Sequence, residues 1–212
     1  MARMKFLCDS ERCIECNGCV TACKNEHEVP WGINRRRVVT IGDGEPGEKS
    51  ISVACMHCTD APCMAVCPVN CFYHTDEGVV LHDKDLCIGC GYCFYACPFG
   101  APQFPQSGAF GQRGKMDKCT FCAGGPEEDH SHEEFEKYGK NRLAEGKLPM
   151  CAEMCSTKAL LAGEADVVAD IFRQRSLTRG KGGELWGWGT AYGKGDFPKD
   201  EPGKATEKKG GK

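Results

Sequence analysis

Sixteen of the 18 cysteines in this chain fall into four groups, and thiols so gathered suit a multivalent metal ligand. Cys13, Cys16, Cys19 and Cys23 form the first group, with the spacing C-x2-C-x2-C-x3-C. Cys55, Cys58, Cys63 and Cys67 form the second, which has one wider gap and is followed by Pro68. Cys87, Cys90, Cys93 and Cys97 form the third, followed by Pro98. The fourth is stretched: Cys119 and Cys122, a long insert, then Cys151 and Cys155. Disulfides would staple distant loops in pairs, which this clustering disfavours. Zinc is the competing reading. A four-cysteine zinc site joins two C-x2-C knuckles, however, whereas a triplet followed by a fourth cysteine recurs here in every group.

A cubane [4Fe–4S] cluster needs four thiolates, one per iron. A short loop wraps three corners of the cube but does not easily close on the fourth. In two-cluster ferredoxins the fourth cysteine of each run therefore ligates the other cluster. Under that rule Cys55, Cys58, Cys63 and Cys97 hold one cluster, and Cys67, Cys87, Cys90 and Cys93 hold its neighbour. The outer groups pair likewise: Cys13, Cys16, Cys19 with Cys155, and Cys119, Cys122, Cys151 with Cys23. This nested pairing yields four [4Fe–4S] clusters and forces the N-terminal region against the region near residue 155.

Cys8 and Cys71 are left over and read as small buried hydrophobes. His57, between two ligands, reads either as a donor to its cluster or as a packing residue. His130 and His132 lie in an acidic stretch that reads as solvated. No Walker loop, dinucleotide fingerprint or nucleophile motif is present, and every triplet cysteine is committed to iron. The expectation is an electron carrier with no catalytic residue of its own.

The elements that must hold these ligands are short. The 27 glycines and scarce large apolar residues leave clusters to supply much of the folding free energy. Ile51–Ala54 and Val79–Leu81 read as strands of small βαβ-like units, with a turn at Asp76–Gly78. The x3 spacer before each fourth cysteine reads as the start of a short helix, and Asp166–Arg175 as an amphipathic helix. The insert Ala123–Met150 reads as a surface excursion, and the residues from Gly180 onward as a tail with little fold of its own that either stays mobile or wraps a partner. A formal charge of −3 gives no nucleic-acid signal. Met1–Leu7 is too short and charged for a signal peptide, the internal Arg35-Arg36-Arg37 run is no export signal, and no stretch is long enough to span a membrane.

The stretches ERCIECNGCVTACKNEHEVPWGINRRRVVT, ACMHCTDAPCMAVCPVNCFY, KDLCIGCGYCFYACPFGAPQ, GKMDKCTFCAGGP and RLAEGKLPMCAEMCSTKALLAGE carry a resemblance. They resemble the iron–sulfur β subunits of molybdopterin oxidoreductases of the dimethyl-sulfoxide-reductase class, and within it those of formate dehydrogenases. The resemblance implies an α+β fold of two ferredoxin-like dicluster halves with long loops. These would be an outer half of residues 1–50 with 110–165 and an inner half of 51–109, followed by a helix and tail over 166–212. It implies a catalytic α subunit carrying molybdenum or tungsten on pterin, and a cytochrome b γ subunit or other acceptor. A reductase for dimethyl sulfoxide, sulfur compounds or nitrite is the alternative partner. It also implies a site at the periplasmic face of the inner membrane, reached by co-export with the catalytic subunit; the cytoplasm is the alternative. Ser156 departs from the proline that commonly follows the fourth cysteine.

Overall fold

A computed structural model describes residues 3–105, 114–124 and 141–178. Most of the predicted surface excursion, His130, His132 and the C-terminal tail lie outside the described residues. The fold is α+β, with three two-stranded ribbons and five helices among those residues. Strand β1 (Met4–Cys8) pairs with β6 (Leu160–Glu164), β2 (Arg37–Ile41) with β3 (Lys49–Val53), and β4 (Phe72–His74) with β5 (Val80–His82).

All three pairings are antiparallel, which corrects the expected βαβ units. Connections as short as those joining β2 to β3 and β4 to β5 reverse the chain, whereas a parallel crossover needs a dozen or more residues. The β4–β5 hairpin closes with the Thr75 amide donating to Val79 at 2.9 Å. Gly78 sits in the left-handed region at φ 73°, and a Cβ there would lie 3.5 Å from the Arg3 side chain. Gly78→Ala is therefore expected to cost about 1–2 kcal/mol, read as a lower thermal midpoint of the folded chain.

The helices are α1 (Gly18–Glu26), α2 (Pro62–Ala65), α3 (Tyr92–Ala96), α4 (Met150–Glu153) and α5 (Ala165–Thr178). The first four each carry the third cysteine of one group and run through the spacer toward its fourth. The amphipathic helix predicted over Asp166–Arg175 is α5.

Met4 pairs with Glu164 and Cys8 with Leu160, so residues near the start of the chain are stitched strand to strand to those just before α5. Helix α1 packs on α4 beside this ribbon. Asp9 and Arg175 add an ion pair at 3.7 Å between the first ligand loop and α5. The N-terminal region thus lies against residues 150–164. One core joins Val79 and Leu81 of the β4–β5 hairpin to Phe121, Ala152 and Leu160, so both regions bury apolar surface together.

Candidate metal-cluster centre

The residue just before the second cysteine of every group adopts left-handed backbone: Glu15 at φ 56°, His57 at 45°, Gly89 at 70° and Phe121 at 59°. Such a φ is strained for a bulky side chain, and its fourfold recurrence marks one shared ligand-loop turn. A second shared device follows the fourth cysteines. The Cys71 amide donates to Cys67 Sγ at 3.4 Å, Ala101 to Cys97 Sγ at 3.5 Å and Leu160 to Cys155 Sγ at 3.5 Å. Amide donors to sulfur stabilise thiolate charge and raise the potential of a bound cluster.

The thiols converge across groups. Cys55, Cys58, Cys63 and Cys97 line one cavity, of about 370 Å³ including space open to solvent. Cys67, Cys87, Cys90 and Cys93 line another, of about 280 Å³. Cys23 adjoins Cys119, Cys151 and Cys122, and Cys19 adjoins Cys155 and Cys13. Cys16 Sγ lies 3.6 Å from a Cβ built on Gly18, next to Cys19. In each of the four gatherings, then, the thiol from a second group is the fourth cysteine of its own run: Cys155, Cys23, Cys97 and Cys67.

The gatherings also follow one another. Cys151 adjoins Cys19, Cys119 adjoins Cys55, and Cys63 adjoins Cys93. We number them sites one (Cys13, Cys16, Cys19, Cys155), two (Cys23, Cys119, Cys122, Cys151), three (Cys55, Cys58, Cys63, Cys97) and four (Cys67, Cys87, Cys90, Cys93). Two cysteines are exposed: Cys16 at site one and Cys90 at site four. All four cysteines of site two are buried.

Burial pushes the Cys63 thiol up to about 11, and Cys93 and Cys122 up to about 12. Buried thiols near one another resist ionisation unless a cation stabilises the thiolates. Clustered iron provides that charge, and thiolate sulfur is the donor set it takes. Among the described residues no group of His, Cys, Asp or Glu side chains converges closely enough to hold one metal ion. The residues present fit a cluster spread over a cavity.

Two left-over thiols border the sites. Cys71 is buried and lines the site-four cavity, its Sγ 3.5 Å from Cys67 Sγ. Hydrogen bonding to Cys87 and burial push its thiol well up, so it stays protonated. Cys71→Ala keeps the amide that reaches Cys67, and iron content per chain is expected to stay unchanged; loss of about four irons would make Cys71 a ligand. Cys8 is half-buried, accepts the Ser52 amide at 3.2 Å and is pushed up to about 11 by burial.

His57 is buried, and its Nε2 has no hydrogen-bond partner among the described residues. Its Nδ1 accepts the Val80 amide at 3.1 Å and its ring stands edge-on to Phe121. Sequence reasoning missed His27, whose Nε2 lies 3.1 Å from Cys122 Sγ and whose pKa burial lowers to about 4. It also missed the buried cations. Lys118 is 0% exposed, donates to the carbonyls of Val80 and Cys119, and lines the site-three cavity. Arg35 is buried and forks onto Asp117 at 2.5 and 2.9 Å. Arg36 is buried beside sites one and two. The Arg35-Arg36-Arg37 run and the Lys118–Cys119 adjacency were the available signals, but neither distinguishes a buried cation from a solvated one.

The family described as the 4Fe-4S dicluster domain matches residues 49–165. The sequence is 64% identical over 194 residues to the formate dehydrogenase iron-sulfur subunit of Wolinella succinogenes, covering 90% of this chain and 97% of that protein. It is 37% identical to the thiosulfate reductase electron transfer subunit PhsB of Salmonella typhi, covering 76% of each protein. It is 34% identical to the B subunit of the anaerobic dimethyl sulfoxide reductase of Escherichia coli, covering 76% of this chain and 73% of that subunit.

Proposed function

Because this protein belongs to the 4Fe-4S dicluster family of oxidoreductase iron–sulfur subunits, we propose that it is the four-cluster electron-transfer subunit of a formate dehydrogenase. The observation that carries the wire is the succession of four thiol sites from exposed Cys16 to exposed Cys90. A bound [4Fe–4S] cluster supplies reversible one-electron storage with little rearrangement of its ligands. The protein's part is to hold the sixteen cysteines in the exchanged sets numbered above. It also keeps water from the interior sites and biases their charge through amide donors and buried cations.

The division into an outer half (1–50 with 110–165) and an inner half (51–109) belongs to the same reading, supported by the β1–β6 ribbon and the α1–α4 packing. So does the α+β pair of ferredoxin-like folds. Exposed ends at sites one and four suit two different partners. One is the molybdenum or tungsten pterin α subunit, which performs the formate chemistry. The other is a cytochrome b subunit or another carrier. No helix of the described residues is long and apolar enough to cross a membrane. The periplasmic face of the inner membrane, reached by co-export, completes the reading; fractionation finding the assembled complex in the cytoplasm would refute that part.

The formate assignment rests on the 64% identity, against 37% and 34% for relatives named for thiosulfate and dimethyl sulfoxide. Adding formate anaerobically to the purified complex is expected to bleach the visible cluster absorption of this subunit. Clusters that stay oxidised with formate, yet reduce with another donor of the isolated complex, would transfer the protein to a different molybdopterin enzyme.

A further inference from the structure

Arg36 is 1% exposed, and the described residues offer it no carboxylate within ion-pair distance. A guanidinium buried in that way is costly unless something anionic faces it. Its Nη1 donates to Ser52 Oγ at 3.0 Å, and its Cζ sits 4.2 Å above the Phe6 ring. Nε and Nη2 meet no carbonyl or carboxylate, and the guanidinium lies close enough to Cys151 to favour its thiolate. Ser52 in turn lies 3.3 Å, Oγ to Sγ, from Cys19 of site one. Burial opposes the charge of Arg36, and Cys151, Cys119, Cys19 and Cys23 favour it when they are thiolates. Three of those four belong to site two and one to site one.

Lys118 is the contrasting case. It is equally buried, but its ammonium donates to the carbonyls of Val80 and Cys119, and it borders site three instead. Arg35 is neutralised by Asp117. Arg36 alone of these three faces thiols with two N–H-bearing nitrogens that carbonyls and carboxylates leave untouched.

We propose that Arg36 is a positioning residue for electrons: one buried positive charge, set between sites one and two, that raises the reduction potentials of both. The proposal rests on the reading that these sites hold [4Fe–4S] clusters. Each cluster gains a negative charge on reduction, and a fixed cation in a low-dielectric interior favours the reduced state. The cost of burying Arg36 is offset only when thiolates and iron sulfide fill the space beside it. Such a charge makes sites one and two easier to load than they would otherwise be, and it leaves site four, whose thiols are not among those that face it, unaffected.

Potentiometric titration followed by electron paramagnetic resonance on the purified complex tests this with Arg36→Met, Arg36→Gln and Arg36→Lys. Iron per chain, measured first, reads assembly separately from tuning. If the unaltered protein lacks the iron of four clusters, the underlying reading fails and takes the proposal with it. With iron retained, Arg36→Met or Arg36→Gln is expected to cut the reduction equilibrium at sites one and two at least tenfold, which is about 59 mV for a one-electron couple. Site four should not move, and Arg36→Lys should recover most of the shift. Unmoved potentials in the neutral variants overturn the proposal. So does an equal shift at all four sites, or a Lys variant as displaced as the neutral ones. A neutral variant that fails to load iron while Arg36→Lys loads normally and keeps the parental potentials supports the charge as the operative feature.

Discussion

Cys97→Ser is expected to empty or cripple the cluster held by Cys55, Cys58 and Cys63, and to leave the site of its own neighbours Cys87, Cys90 and Cys93 loaded. Cys97 lines the cavity of the second group's triplet, while Cys67 lines that of the third. Each fourth cysteine leaves its loop on the far side of a short helix, α2 or α3, and those two helices pack on each other. The helix carries the thiol away from its own triplet and into the cavity of the adjacent one. Iron should fall from about sixteen to about twelve per chain, four per lost cluster. Spectroscopy should lose the signal that Cys55→Ser also removes. Loss of the signal that Cys87→Ser removes would refute the exchange.

Asp117→Asn is expected to be the most destabilising change away from a ligand. Asp117 is buried, takes the Arg35 fork and also receives Lys84 at 3.1 Å. Its backbone bridges to Gln103 in both directions at 2.8 Å, holding the strand-like stretch that leads into Lys118 and Cys119. Breaking a buried pair by removing one partner strands the other charge, which costs about 3–5 kcal/mol. For a protein of this size the apparent thermal midpoint of cluster loss should fall by on the order of 10 °C. A change under about 1 kcal/mol would show that solvent already screens the pair.

The same carboxylate gives the pH dependence its sign. Burial alone would raise the Asp117 pKa, but Arg35 and Lys84 overcome it and hold the carboxyl well below the usual carboxylate range. A depressed folded pKa contributes stability that is fully present above the unfolded value near ~3.9 and is lost as pH falls below it. The gap between Asp117→Asn and the parent should therefore be constant from about pH 5 to 8 and shrink below about pH 4.

The cysteine frame was legible in the sequence because ligand chemistry depends on residue type and local spacing, and both survive into the fold unchanged. The helices over the x3 spacers were legible for the same reason. So was the meeting of the N-terminal region with the region near residue 155, which the nested pairing of the outer groups implies, although the strands β1 and β6 that stitch it were not. Strand pairing was not: Val79–Leu81 looks the same whether the chain returns parallel or antiparallel, and connection geometry decided it. The buried charges were invisible for a deeper reason. Arg36 and Lys118 are residue types of a solvated surface, and partners that surround them once buried, Ser52 and Phe6 for Arg36 and the carbonyl of Val80 for Lys118, come from distant parts of the sequence.

Iron and acid-labile sulfide per chain, determined on the anaerobically purified complex after correction for the catalytic subunit, test the four-site wire most directly. About sixteen of each are expected in this subunit, from four clusters of four. A value of about eight, as two clusters alone would give, or zinc in place of iron, would contradict it.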